Sequence, residues 1–219
     1  MDAGPPDGGP GDAGPSDGGP SDGGGDAGGV IDGRPLSPLF GAIVFNEVLT
    51  DGTAEGDPNG DGDANPVEDQ FVELVSTGGS VDMGGFTLVE QDLPDLPRHT
   101  FAGGFVLDPG HAVVVFGGGD APDATASTTF FVANAADPGL PFGLHLSTPA
   151  DTVWLLDVDG AVVARFCVGG DGECAIDAAT DESLTRDPDV TGAFVPHRDA
   201  TGSGGEAFSV GTRVDGSAF

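Results

Sequence analysis

"TVWLLDVDGAVVARFCV", Thr152–Val168, carries the clearest secondary-structure signal in the chain. Two runs rich in β-branched residues flank Asp159-Gly160, a pair suited to the left-handed positions of a two-residue turn. The stretch reads as a tight β-hairpin, with Trp154 a core side chain. Five further runs share its character: "GAIVFNEVL" (Gly41–Leu49), "QFVELVS" (Gln70–Ser76), "FTLVEQ" (Phe86–Gln91), "HAVVVFG" (His111–Gly117) and "TTFFVA" (Thr128–Ala133). Each is short and bounded by Gly, Pro or Asp. In "QFVELV", alternation sets Val72 and Leu74 on one face and Phe71, Glu73 and Val75 on the other. Seven to nine such strands, with turn signals between them and no helical period, predict an all-β protein built as a β-sandwich.

Composition points the same way. Forty Gly and 18 Pro in 219 residues argue against long helices. Six Arg and no Lys stand against 37 acidic residues, a net charge of −31. That field repels nucleic acid and anionic membrane surfaces, so no direct nucleic-acid partner is expected, and it favours divalent cations. The apolar runs are strand-sized, far short of the roughly 20 residues of a spanning helix.

Residues 1–35 read as a disordered, acidic Gly/Pro-rich tether and residues 36–219 as the folded domain. The tether repeats units such as "DAGPP" and "DGGPG" with a period of about five. It has almost no apolar side chain to bury, and its Asp charges repel along its length. A coil of this kind spans roughly 30 Å. Spacers of this composition follow the lipid-anchored N-terminus of bacterial surface proteins. The expected location is therefore extracellular or at the cell surface, with an export signal or lipid anchor assigned to a precursor. Cys167 and Cys174 enclose six residues and have no second pair or His partner to complete a zinc site. A local disulfide is expected, and with it an oxidising compartment.

The segment "DPNGDGDANPVED", Asp57–Asp69, matches the calcium-loop pattern D-x-[DN]-x-[DN]-G-x5-E at each defined place. Asp57, Asn59 and Asp61 stand at positions one, three and five, and Gly62 at the sharp turn. Asp63 offers a backbone carbonyl, Asn65 stands at nine and Glu68 at twelve, and Asp69 adds a fifth carboxylate within 13 residues. Calcium requires six to eight hard oxygens, and a tightly coiled loop supplies them from one segment. The competing reading is an acidic turn without metal, since Asp, Asn and Gly are also ordinary turn residues. With strands on both sides, an EF-hand is excluded. The expected metal residues are Asp57, Asn59, Asp61, Asp63, Asn65, Glu68 and Asp69, with Asp51, Glu55 and Glu73 as further candidates for the shell.

No catalytic motif emerges. His99, His111 and His145 lie in or beside predicted strands and His197 in a loop, which makes structural roles the simpler reading. "GGG" at Gly117–Gly119 follows a strand, but the acidic, Pro-bearing "DAPDATAS" after it is unsuited to phosphate. It reads as a β-turn with a mobile loop.

In order along the chain, "IVFNEVL", "DQFVELV", "VDMGGFTLVE", "RHTF…VLDPGHAVVVFGGG", "LHLSTPADTVWLLDVDGAVV" and "ESLTRDPDVTGAFVPHRDATGSG" resemble a bacterial lamin-tail domain. Phe86 stands where Trp is frequent in that family. The resemblance implies an immunoglobulin-like sandwich of non-catalytic character, found in secreted or surface modules. The expectation is a binding or structural module, stabilised by calcium at 57–69, whose partner is a protein or a surface polymer. The alternatives are a divalent-metal hydrolase, which needs carboxylates and a His converging in a cleft, and a calcium-dependent adhesin component.

Overall fold

The computed structural model describes residues 1, 29–50, 56–135, 143–179 and 181–219. Most of the expected tether, residues 2–28, lies outside them. Among the described residues there are fourteen strands. In chain order they are β1 (Val30–Ile31), β2 (Arg34–Pro35), β3 (Ile43–Leu49), β4 (Phe71–Ser76), β5 (Val81–Asp82), β6 (Thr87–Glu90) and β7 (His99–Thr100). There follow β8 (Val106–Leu107), β9 (Ala112–Phe116), β10 (Thr128–Val132), β11 (Asp151–Leu156), β12 (Val162–Val168), β13 (Leu184–Asp187) and β14 (Ala193–Pro196). All seven long runs read from the sequence are strands, and β11–β12 is the hairpin about Asp159-Gly160.

Two sheets form the sandwich. One has six strands in the order β10-β9-β4-β3-β13-β14, the other four in the order β12-β11-β6-β7. Pairing is antiparallel except at one edge, where β10 runs parallel to β9. Ile43, Phe45, Val72, Leu74, Val113 and Val115 face Leu88, Val153, Leu155 and Phe166 across the layer. Burying each such side chain contributes roughly 1.5–3 kcal/mol. Phe86 belongs to the same core at 4 % exposure, so it fills the place expected of Trp.

A bulge in β3 sets what the outer face carries. Phe45 pairs with Leu74 and Glu47 with Glu73, which leaves Asn46 as an extra residue. An extra residue reverses the alternation. Phe45 and Val48 therefore both point into the core, while Leu49 joins Phe71, Val114 and Phe116 on the opposite side. There they are covered by Phe130 and by Phe208 and Val210 of the C-terminal segment. That segment is a strap over the six-stranded sheet.

Trp154 departs from expectation. It is buried in a cluster of its own with Val89, Leu156 and Val162, on the outside of the four-stranded sheet. Ile31 and Leu36 cover it, Arg34 lies 5.1 Å from its ring, and its Nε1–H donates to Asp32 at 3.1 Å. The β1–β2 hairpin, which supplies all of these contacts except that of Leu36, lies before residue 36, so the paired chain begins ahead of the expected boundary. An exposed indole on that sheet is what the hairpin removes from water.

Cys167 and Cys174 are joined, tying the end of β12 to the short 3-10 turn at Gly172–Cys174. Loop closure over this separation is worth about 2–3 kcal/mol. Reduction followed by thiol capping should therefore lower the urea-unfolding free energy by about that amount, without loss of the β-sheet circular dichroism signal.

Candidate metal centre

The acidic loop enters from β3 through residues 51–55, which lie outside the described residues, and leaves into β4. Asp57 turns its carboxylate inward: Oδ1 accepts from Gly60 N–H at 2.8 Å and Oδ2 from Gly62 N–H at 2.7 Å. Gly62 has φ +94°, the conformation for which glycine is suited at the turn. Asn59 Oδ1 accepts from the Asp61 amide at 3.0 Å and Asp61 Oδ1 from the Asp63 amide at 2.9 Å. Asn65 Oδ1 accepts from Val67 N–H at 3.1 Å. The loop is thus coiled by its own side chains, each reaching the backbone ahead of it.

At its end, Asp69 is fully buried. Its Oδ2 accepts from Asn65 N–H at 2.7 Å, while Oδ1 has no hydrogen-bond partner. Burial raises the Asp69 carboxyl above its ordinary value, the backbone amides of Asn65 and Asn59 oppose this, and the charges of Asp57 and Asp61 push it further up. These three carboxylates are near enough to repel one another. They do not form a trio within 4.8 Å. Asp61 and Asp63 are exposed, Asn59 is buried, and Asn65 and Glu68 are half-buried.

The surface the loop rests on was not foreseen. Gly117–Gly119, expected to form a mobile turn, is the seat of the loop. A Cβ on Gly118 would come 2.6 Å from Glu68 Cγ, and one on Gly119 would overlap the side chains of Asp61 and Asn59. Asn59 Nδ2 donates to Gly118 O at 3.4 Å and the Asp120 amide donates to Asp61 Oδ2 at 3.3 Å. Three glycines let two stretches of backbone meet where side chains would hold them apart. The sequence shows the glycines but not which segment approaches them.

Of the further shell candidates, Asp51 and Glu55 lie outside the described residues. Glu73 is turned elsewhere. Its Oε1 accepts from Asn46 Nδ2 at 2.9 Å and its Oε2 from Gly211 N–H at 2.8 Å. Glu47 accepts from Ser183 Oγ at 2.6 Å, and from Ser209 through its N–H at 2.9 Å and its Oγ at 2.7 Å. Asn46 Oδ1 also holds the amide of Val190 at 2.6 Å. Val190 has φ +69°, an unfavourable conformation for a β-branched residue. Both acids are fully buried between the sheet and the strap. Burial raises the Glu73 carboxyl well above its ordinary value and the Glu47 charge adds to this, against the Asn46 and Gly211 hydrogen bonds. Glu47 is raised by burial too, and the nearby His197 and the two serines oppose the rise.

The histidines divide. His99 is buried in β7 against Phe101 and Phe131, and burial pushes its pKa down to about 4. His197 is buried with Nδ1 2.8 Å from Glu206 O. His145 lies beside Glu90, outside any strand. A cavity of about 520 Å³ lies among the described residues. Ile43, Phe45, Phe166 and Phe194 line it with Arg165 and Arg186, and no histidine does.

Two packed sheets, strand-to-strand hairpins and loops gathered at the sandwich ends define an immunoglobulin-like module. The Lamin Tail Domain family model matches residues 37–170, more than half of the chain, and the protein belongs to that family. At the coarse level, family and fold support a non-catalytic immunoglobulin-like module. No curated protein matches the chain. Residues 181–219, beyond the matched stretch, supply β13, β14 and the strap.

The buried acids give a pH dependence with a definite sign. A carboxyl raised in the folded state takes up its proton before the unfolded chain does as pH falls, so stability should rise on acidification. As pH falls from 8 towards 5 the urea midpoint of the wild type should gain from Glu73 protonation, and that of Glu73→Gln should lack this gain. Asp151, pushed up to about 7 by burial, contributes equally to both chains. His99 acts with the opposite sign as pH approaches and passes its ordinary value near 6.5, and does so equally in both chains. Equal slopes for the two chains would contradict this role for Glu73.

Proposed function

We infer that the protein is a non-catalytic binding or spacing module of an exported or cell-surface protein, stiffened by calcium in the loop at residues 57–69. The observation that carries the reading is Asp69 Oδ1, a buried carboxylate oxygen that receives no well-formed hydrogen bond, the Asn59 backbone giving its carboxyl only a weaker contact, at the end of a coiled loop that gathers four other acids. Leaving such an atom unsatisfied costs about 1–3 kcal/mol. A hard divalent cation would satisfy it and relieve the repulsion from Asp57 and Asp61. Calcium fits the donor chemistry, since Asp57, Asn59, Asp61, Asn65, Glu68 and Asp69 offer side-chain oxygens and Asp63 a carbonyl. Binding would require Asp57 to share oxygens it now gives to Gly60 and Gly62. The ion would fix the long connection from β3 to β4 against the Gly117–Gly119 seat.

Export is supported by the Cys167–Cys174 bond, since disulfides persist in oxidising compartments. The acidic N-terminal repeat suits a tether, and loops or the sheet edge at β14 suit contact with a protein or surface polymer. Calorimetry should register one calcium per chain at up to millimolar concentrations, with a rise in melting temperature. Asp61→Ala and Asp69→Asn should each weaken binding at least tenfold. A wild-type chain that takes up no calcium in that range contradicts the reading.

A further inference from the structure

A second group of ligand atoms lies away from the acidic loop. Among the described residues, Glu90, Asp92 and His145 each place one ligand atom so that the three lie within 4.8 Å of one another. β6 ends at Glu90, and the chain turns at once so that the Asp92 amide donates to Glu90 Oε2 at 2.6 Å. That turn brings the exposed Asp92 side chain back over the buried one. His145 approaches from the segment leading to β11, with Nδ1 3.4 Å from Glu90 Oε1 and its side chain one-third exposed.

Two further observations separate this group from an ordinary acidic turn. Glu90 is fully buried, and its Oε1, the oxygen facing His145, accepts no hydrogen bond. The neighbouring buried acid, Asp151, is by contrast satisfied at both oxygens, by the amides of Thr152 at 2.6 Å and Ser147 at 2.8 Å. Arg98 interacts with Glu90 through its charge but gives its Nε and Nη2 hydrogens to the Gly143 carbonyl, at 2.9 and 2.6 Å. One face of the group reaches solvent through Asp92 and the His145 ring, so an ion has a way in.

We propose that Glu90, Asp92 and His145 form a binding site for a divalent transition-metal ion, with zinc the best match. An imidazole nitrogen with two carboxylate oxygens suits zinc and is a poor set for calcium, which takes oxygen almost exclusively. Three protein ligands leave a fourth position for water or for a donor from a partner. The ion would join the end of β6 to the segment before β11 and place a positive charge in a strongly negative molecule. This site stands independently of calcium at the acidic loop.

The test uses the whole chain, stripped with chelator and held in excess calcium. Cobalt is titrated by its visible absorption and zinc by calorimetry. His145→Asn suits a residue with φ +58°, because Asn tolerates that conformation. Asp92→Asn alters an exposed side chain and keeps the test available if the first variant fails to fold. One equivalent of cobalt or zinc is expected in the wild type, at least tenfold weaker in both variants and unchanged in Asp61→Ala. Wild-type affinity retained in His145→Asn and Asp92→Asn overturns the proposal. Binding lost in Asp61→Ala alone overturns it as well, and assigns the ion to the acidic loop.

Discussion

Glu73 receives one hydrogen bond from Asn46, in the first long strand, and one from Gly211, close to the end of the chain. Beside it, Glu47 holds Ser183 and Ser209. These two buried acids are the constraint on which the rest of the molecule depends. They would be costly anywhere else in a sandwich, because a buried carboxylate without partners loses its hydration and gains nothing. Here the partners are backbone and hydroxyl groups of the strap, so the sheet and the strap satisfy each other. With the strap in place, Leu49, Phe71, Val114 and Phe116 are withdrawn from water as a second apolar layer. The bulge at Asn46 makes the arrangement available, since without the extra residue Glu47 would share the inward face of Phe45.

The sandwich was legible in the sequence because its long strands are short β-branched runs with strong turn signals. The faces of β4 were legible too: Val72 and Leu74 point inward, and Phe71 joins the outer layer as alternation predicts. Local pattern says nothing about which distant segment covers a face. That is why Trp154 was expected in the main core, and why Glu73 was a candidate for the wrong shell. A Trp flanked by apolar neighbours reads the same whether a sheet or a two-strand hairpin lies over it. The strands β13 and β14 escaped notice for a related reason, since "LTRD" and "AFVP" carry little apolar alternation. They are held by pairing to β3 and to each other.

The candidate metal ligands divide in the same way. The acidic loop announces itself by spacing, and its coiling follows from side chains reaching amides a few residues on. Its seat on Gly117–Gly119 depends on tertiary approach and had no local signal. Glu90, Asp92 and His145 had even less, because two segments far apart in sequence supply them and none belongs to a recognised spacing. The acidic loop is a connection between strands, whereas Glu90 is the last residue of β6 and Asp92 and His145 lie in connections beside it.

The central claim is that the strap is part of the fold and not an appendage laid over it. Native-state hydrogen exchange at the Ser209 and Gly211 amides addresses it directly, since these are the N–H groups bound by Glu47 and Glu73. Both amides should exchange only through global unfolding, with the same opening free energy as amides at the centre of β4 and the same dependence on urea. Exchange at least a hundredfold faster than β4, and insensitive to low urea, would mean that the strap opens by itself and would contradict the account.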